Sequence, residues 1–443
     1  MKKLIEKYNQ SKTVLVVSSY PDKKDGIKNL NAVAWYAEKT LKSLPLGNKY
    51  RIVVLAEITD KPQTYEDGRL LIIRCWRRNS PFLLKDLLSQ IIKFDKVANV
   101  LVEFEFNTFG GMIGTFAFPF FMLALKVLGK RTVLELHQVL LDINALSGHL
   151  NIKRGGLLAS ILNLVLMYFY KSVGRLSDRI IVLEEELKNR LSTFVEPKKI
   201  TPLFIATSKK NLPSKENARE KLGLKKNDFI LLYFGFVTWY KGADWLIKEC
   251  KGKNVKLIVA GGSSPTLRKK SHYQKFYSRI LSLVEKSPNI SLTGFVNEAD
   301  IPYYFAACDL VVLPYRAFMS ASGPLSFAIS YRKPFILSNN LSCYLGSEDF
   351  VESLDIVKGT KEDLVFPLDS YSFNQKIKTL KSDPLALKKL QKISSNLNYM
   401  RSPENLGKMY FKELIDVSRP TYRYSPSSLL AKLLARGLAY RLG

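Results

Sequence analysis

Residues 229–262 read FILLYFGFVTWYKGADWLIKECKGKNVKLIVAGG, and this stretch decides the fold. Two apolar runs rich in Ile, Leu and Val, 229–236 and 255–262, have the length of buried strands. Downstream, ISLTGF (290–295), DLVVLPY (309–315) and PFILSNN (334–340) continue the series. Upstream, the same pattern occupies VLVVSS (14–19), RIVVLAE (51–57), LLIIRCW (70–76), NVLVEFEF (99–106), RTVLELH (131–137) and RIIVLEE (179–185). Helical periodicity fills segments between them, for example 29–44 and 83–94. Strands alternating with helices form parallel sheets joined by crossover helices. Between the two series, residues 200–228 hold prolines and polar residues, the composition of a linker. The expected architecture is two α/β domains joined by a linker, with a cleft between them.

The chain has 443 residues, and its 68 Lys and Arg against 39 Asp and Glu leave a net charge of +29. With 47% hydrophobic residues it is a folded chain and not a disordered one. The charge argues against a neutral, freely diffusing metabolic enzyme and for an anionic partner: nucleic acid, membrane or phosphorylated substrate. Residues 1–203 and 204–417 each carry an excess of +12, while the last 26 hold five basic residues and no acid. A nucleic-acid module would concentrate its charge in one domain, so no nucleic-acid partner is expected.

Cys75, Cys250, Cys308 and Cys343 show no paired spacing, which argues against a disulfide framework or a cysteine zinc site and for a reducing, intracellular compartment. The opening MKKLIEKYNQSK lacks the apolar core of a signal peptide. Residues 107–125 and 155–170 are uncharged for 19 and 16 positions. They read as buried core helices or as helices entering a membrane surface.

Open α/β sheets bind ligands at the carboxyl ends of their strands. The loops there contain neither a Walker sequence nor a Gly-x-Gly-x-x-Gly fingerprint, which weakens ATPase and dehydrogenase readings. Ser320-Ala321-Ser322-Gly323-Pro324-Leu325-Ser326 reads as a helix start, with Ser322 as cap and Pro324 in the first turn. Its dipole and the amides of Gly323, Leu325 and Ser326 suit a diphosphate. Lys241 is a point charge suited to the same ligand. His137 ends a strand, where site residues sit. His149 and His272 lie in polar contexts without a role.

FGFVTWYKG (234–242), VKLIVAGG (255–262), ISLTGFVNEADIPYYFAACDLVVLPY (290–315) and SGPLSFAISYRKPFI (322–336) together closely resemble glycosyltransferase family 4, the group 1 glycosyltransferases. The amino-terminal half resembles the family more weakly, through Gly26, VEFEFNTFGG (102–111) and LELHQV (134–139). The resemblance implies the GT-B fold: two Rossmann-like, doubly wound domains facing a cleft. Residues 1–203 would be the acceptor-side domain and 204–385 the nucleotide-sugar-binding domain. A helix at 386–417 would return to the first domain, and 418–443 would form a basic amphipathic tail.

The activity implied is a retaining hexosyl transfer from a nucleotide-sugar, with no metal and no cofactor. The implied catalytic residues are His137, near the transferred sugar, and Lys241. Donor binding would fall to Gly26, Gly235, Lys241, Gly262, Phe295, Val296, Ser322, Gly323 and Leu325, with Glu105 facing the acceptor side. The chain departs from the family pattern at Met319 and Phe327, where many members carry a Glu-x7-Glu motif, and at Thr238, where many carry Arg. Arg316 is the candidate for that missing cation.

In SPSSLLAKLLARGLAYRLG (425–443) the leucines share one helical face and Lys432 and Arg436 the other. Such a helix reads as a membrane-surface element. The expectation is an enzyme peripheral on the cytoplasmic face of the cell membrane, bound to anionic lipid and acting on a lipid-linked or glycan acceptor. The competing readings are a soluble glycosyltransferase with a non-lipid acceptor and a non-catalytic GT-B scaffold.

Overall fold

The computed structural model describes every residue except 1, 23–31, 48, 79, 107, 108, 110, 266 and 416–443. The chain forms two compact units. Among the described residues the first comprises those within 1–141, 164–204 and 403–415, and the second those within 142–163 and 205–402. Gly26 and the tail 418–443 lie outside the described residues.

The first unit is built on eight strands: β1 Thr13–Ser18, β2 Arg51–Glu57, β3 Gln63–Asp67, β4 Leu70–Trp76, β5 Asn99–Phe104, β6 Arg131–Leu136, β7 Arg179–Leu183 and β8 Ile200–Leu203. Their order is β3-β4-β2-β1-β5-β6-β7-β8. All neighbours are parallel except β3, which folds back antiparallel on β4. The chain starts in the middle, winds to one edge, returns and winds to the other, which is the doubly wound arrangement. Strands covered on both faces need apolar residues throughout, and Val14, Leu15, Val16 and Val17 are all buried. β8 falls in the segment whose composition reads as linker. Pro202 hides it, since proline is tolerated only where no ladder partner needs its amide, as in this edge strand.

The second unit holds β9 Ile230–Phe234, β10 Lys256–Ala260, β11 Ile290–Leu292, β12 Leu310–Leu313, β13 Phe335–Ser338 and β14 Val365–Phe366, in the order β11-β10-β9-β12-β13-β14. All its pairs are parallel.

Two boundaries differ from expectation. Residues 142–163 interrupt the first unit and belong to the second. Within 386–417 the described residues form two helices. Pro384–Met400 stays with the second unit, its Leu390, Ile393 and Leu397 buried. Arg401 ends it in an ion pair with Asp349. Pro403 cannot continue a helix, and the new helix Pro403–Ile415 alone packs in the first unit, with Gly407 against the carbonyl of Ser43.

Candidate active site

The second unit gathers the donor-side residues at the carboxyl ends of β9, β10 and β12. Gly235 follows β9 at φ +109°, and a Cβ there would meet Pro324 Cγ at 2.9 Å and Lys241 Nζ at 3.3 Å. A Cβ on Gly261 would strike the Gly235 carbonyl oxygen at 2.0 Å, and one on Gly262 would reach the Phe295 amide nitrogen at 3.2 Å. Gly235, Lys241, Gly262, Phe295 and the helix Gly323–Ser330 therefore converge, and the close backbone approach requires glycine. Val296 follows in the same loop as Phe295, whose ring is exposed.

Lys241 closes the short turn Trp239–Lys241 and is buried. Gly242 at φ +75° lets the chain pass within van der Waals contact of the Pro314 carbonyl before the next helix begins. No carboxylate among the described residues pairs with Lys241. Burial alone lowers its pKa, to about 8. A buried amine without a counter-ion is costly, and an anionic ligand relieves the cost.

Ser322 caps Gly323–Ser330, its Oγ accepting from the Leu325 amide at 3.2 Å and lying 3.0 Å from Tyr315 Oη. The Ser322 amide donates to Tyr344 Oη at 2.8 Å and the Ser326 amide to the Ser322 carbonyl at 3.0 Å. The expected cluster of donating amides is thus reduced. Leu325 is held by the cap, Pro324 has no N–H, and Gly323, beside open space, is the amide left to face a ligand. The reason is the cap: a serine that caps the start of a helix holds the amide three residues on with its side chain.

Arg316 is committed elsewhere. Its guanidinium grips Asp244 through both nitrogens, at 2.7 and 2.9 Å, and donates to the Trp239 carbonyl at 2.6 Å. It braces the Lys241 turn instead of supplying a second cation. Phe327 stacks among Phe234, Phe305 and Tyr331, an apolar cluster in place of a carboxylate.

His149, without a role in the sequence, supports the same turn. Its Nδ1 lies 2.5 Å from Tyr273 Oη, which also accepts from the Trp239 amide at 3.3 Å. Burial, with Lys270 and His272 nearby, lowers its pKa to about 4, so the neutral ring accepts the tyrosine proton. Nothing in the sequence places residues 142–163 in the second unit, so this support was not legible there.

In the first unit, His137 lies buried just past β6. Its Nε2 stands 3.8 Å from Glu103 Oε2, and Tyr36 meets the ring edge-on at 5.1 Å between centroids. Glu103 and Glu135 are register partners on β5 and β6, and both are fully buried. Ser18 Oγ donates to Glu103 at 2.8 Å, and Tyr410 Oη donates to Glu135. Burial drives both carboxyls up, Glu103 to about 8 and Glu135 to about 7. Burial lowers His137, against the pull of Glu135 and Glu105. Glu105 itself is half-buried beyond the end of β5. Ligand atoms of Glu103, Glu135 and His137 lie within 4.8 Å of one another, a spacing that could hold a metal ion. The sequence signal for Glu103 and Glu135 was available: acids alternating within otherwise apolar strands, VLVEF and TVLEL.

Residues 214–396 match the family described as glycosyl transferases group 1. The solved sucrose-phosphate synthase from Thermosynechococcus elongatus superposes with a TM-score of 0.68 at 13% identity, over 90% of this chain and 97% of that one. HepE of Anabaena, solved with UDP-glucose, gives 0.59 at 15%, over 90% and 97%. WaaG, described as a glycosyltransferase involved in lipopolysaccharide biosynthesis, gives 0.57 at 14%, over 91% and 99%. No curated protein matches the sequence. Two doubly wound units, with a lysine and a helix start at the strand ends of the second, define a GT-B fold. Within that fold, the stretch 214–396 of the second unit is what resembles the group 1 glycosyltransferases.

Proposed function

We propose that the protein transfers a hexose, with retention of anomeric configuration, from a nucleoside diphosphate donor to a lipid-linked acceptor. It would act as a peripheral enzyme on the cytoplasmic face of a membrane. The observation that carries the donor assignment is Lys241: a buried cation without a carboxylate partner among the described residues, beside Gly235 and the start of Gly323–Ser330. As the bond to the sugar breaks, negative charge grows on the leaving diphosphate. Lys241, the Gly323 amide and the helix dipole stabilise it where it develops. This charge balance calls for no metal and no cofactor. UDP-glucose bound to HepE supports the donor class.

Retention follows if the acceptor attacks from the face the diphosphate leaves, with a diphosphate oxygen taking the acceptor proton. His137 would contact the sugar and Glu105 the acceptor. The acceptor and membrane reading rests on the +29 charge, the leucine-faced tail and the described role of WaaG. Incubating the protein with UDP-, GDP- and ADP-hexoses and a membrane lipid extract tests it. One donor should be consumed and a glycosylated lipid formed. Consumption with product only on soluble acceptors would refute the lipid acceptor.

A further inference from the structure

Two crossover helices leave apolar stripes uncovered. On Gly111–Val127, Phe116, Phe120 and Leu123 are exposed, Phe120 at 72%. Their spacing of four and three residues puts them on one line, and exposed Lys126 extends it. On Leu157–Leu176, Leu157, Ile161, Leu164 and Tyr168 repeat at four, three and four residues, with Leu157 at 79% and Tyr168 at 62% exposure. Exposed Lys171 and Arg175 continue that line. The opposite faces are apolar too: Phe118 and Leu125 on one helix, Phe169 and Val173 on the other, all buried. A helix apolar all round is either covered by protein or in contact with lipid.

In the first unit Gly111–Val127 and residues 164–176 of the second helix lie side by side. They follow the successive steps β5 to β6 and β6 to β7, which run in one direction, so right-handed crossovers place both on one face of the sheet. Phe118 and Phe169 meet there at 6.1 Å, each packed on Phe104. In that unit residues 107–134 and 164–177 contain no Asp or Glu, while Lys126, Lys171 and Arg175 are exposed.

We infer that this face seats on an anionic lipid bilayer, the stripes entering the headgroup boundary and the basic residues meeting lipid phosphates. Leu157–Leu176 has the length and hydropathy of a membrane span. Its burial through Phe169, Tyr170 and Val173, and the Leu140 amide donating to Tyr170 Oη at 2.9 Å, fix its second half along the sheet. Contact is therefore lateral. Charge selects the occupant: in the first unit Lys126, Lys171 and Arg175 outnumber the exposed Asp178 at the helix end, so a two-fold dimer would set excess positive charge against itself, whereas an anionic leaflet supplies the opposite charge. The inference rests on the membrane reading above and names the face that carries it.

The test is flotation of the full chain with vesicles of phosphatidylglycerol and phosphatidylcholine, against phosphatidylcholine alone, for the natural sequence and for the double variant Phe120→Asp, Tyr168→Asp. The natural sequence should float with the anionic vesicles. The variant should bind them at least about tenfold more weakly, with unchanged melting temperature and unchanged donor hydrolysis in solution. Lys171→Ser with Arg175→Ser should weaken binding to anionic vesicles only. Equal flotation of variant and natural sequence would overturn this face while leaving the membrane reading to the tail. Absence of flotation by the natural sequence would overturn both. A dimer in sedimentation that the variant converts to monomer, without vesicle binding, would assign the face to a second copy.

Discussion

At the scale of single residues, the account turns on Lys241. Its amine is protonated below about 8 and neutral above, so donor affinity of the free protein should fall as pH rises through that value, by about tenfold per pH unit beyond it. Calorimetric titration of a nucleoside diphosphate across that range checks the sign; affinity that rises with pH would oppose it. Lys241→Gln should reduce turnover on the order of a hundredfold and abolish the pH dependence. Gly235→Ala places a methyl group 2.9 Å from Pro324 Cγ at a φ of +109°. Strain of that kind costs about 1–3 kcal/mol, so the variant should melt at lower temperature and bind donor more weakly. The lysine and the glycine were legible in the sequence because strand-end loops draw attention to them. The commitment of Arg316 to Asp244 was not: a bidentate pair between residues 72 positions apart needs the fold to bring them together. His149 escaped for the same reason.

At the scale of elements, the paired carboxyls of β5 and β6 link the strands under His137 to the last described helix. Glu103 and Glu135 have pKa values raised by burial, to about 8 and about 7. The folded chain therefore holds protons that the unfolded chain releases above about 4.5, the ordinary glutamate value. The stability this contributes is fully present at low pH and is lost as pH climbs through about 7 and about 8. Chemical denaturation should show the midpoint falling across that window, and Glu135→Gln should flatten the fall. Tyr410 ties Pro403–Ile415 to Glu135. Removing its hydroxyl in Tyr410→Phe leaves a buried carboxyl short of a donor, at about 1–3 kcal/mol, measured as a lower unfolding free energy. Most strands were legible from their apolar runs. β3, β8 and β14 were missed: β3 is polar and only partly covered, Pro202 disguises β8, and β14 has two residues.

At the scale of the whole molecule, two α/β units and the boundary near Phe204 follow from the alternation of strands and helices. The exchange of residues 142–163 into the second unit does not, because it depends on Gly148 and His149 meeting the side chains of Trp239, Tyr240 and Tyr273. The even charge excess, without a specific ligand in the sequence, gains one structural focus in the acid-free helical stretches 111–127 and 164–176 of the first unit. Binding to anionic vesicles should weaken as salt is raised, since screening shortens the reach of exposed charge. The central claim is a retaining transfer from a nucleoside diphosphate hexose, with Lys241 stabilising the leaving group. Its most direct test is magnetic resonance of the first-formed product from the preferred donor, alongside the same reaction with Lys241→Gln. The account predicts a product with the donor's anomeric configuration and severely reduced turnover in the variant. An inverted product, or a variant as active as the natural sequence, would contradict it.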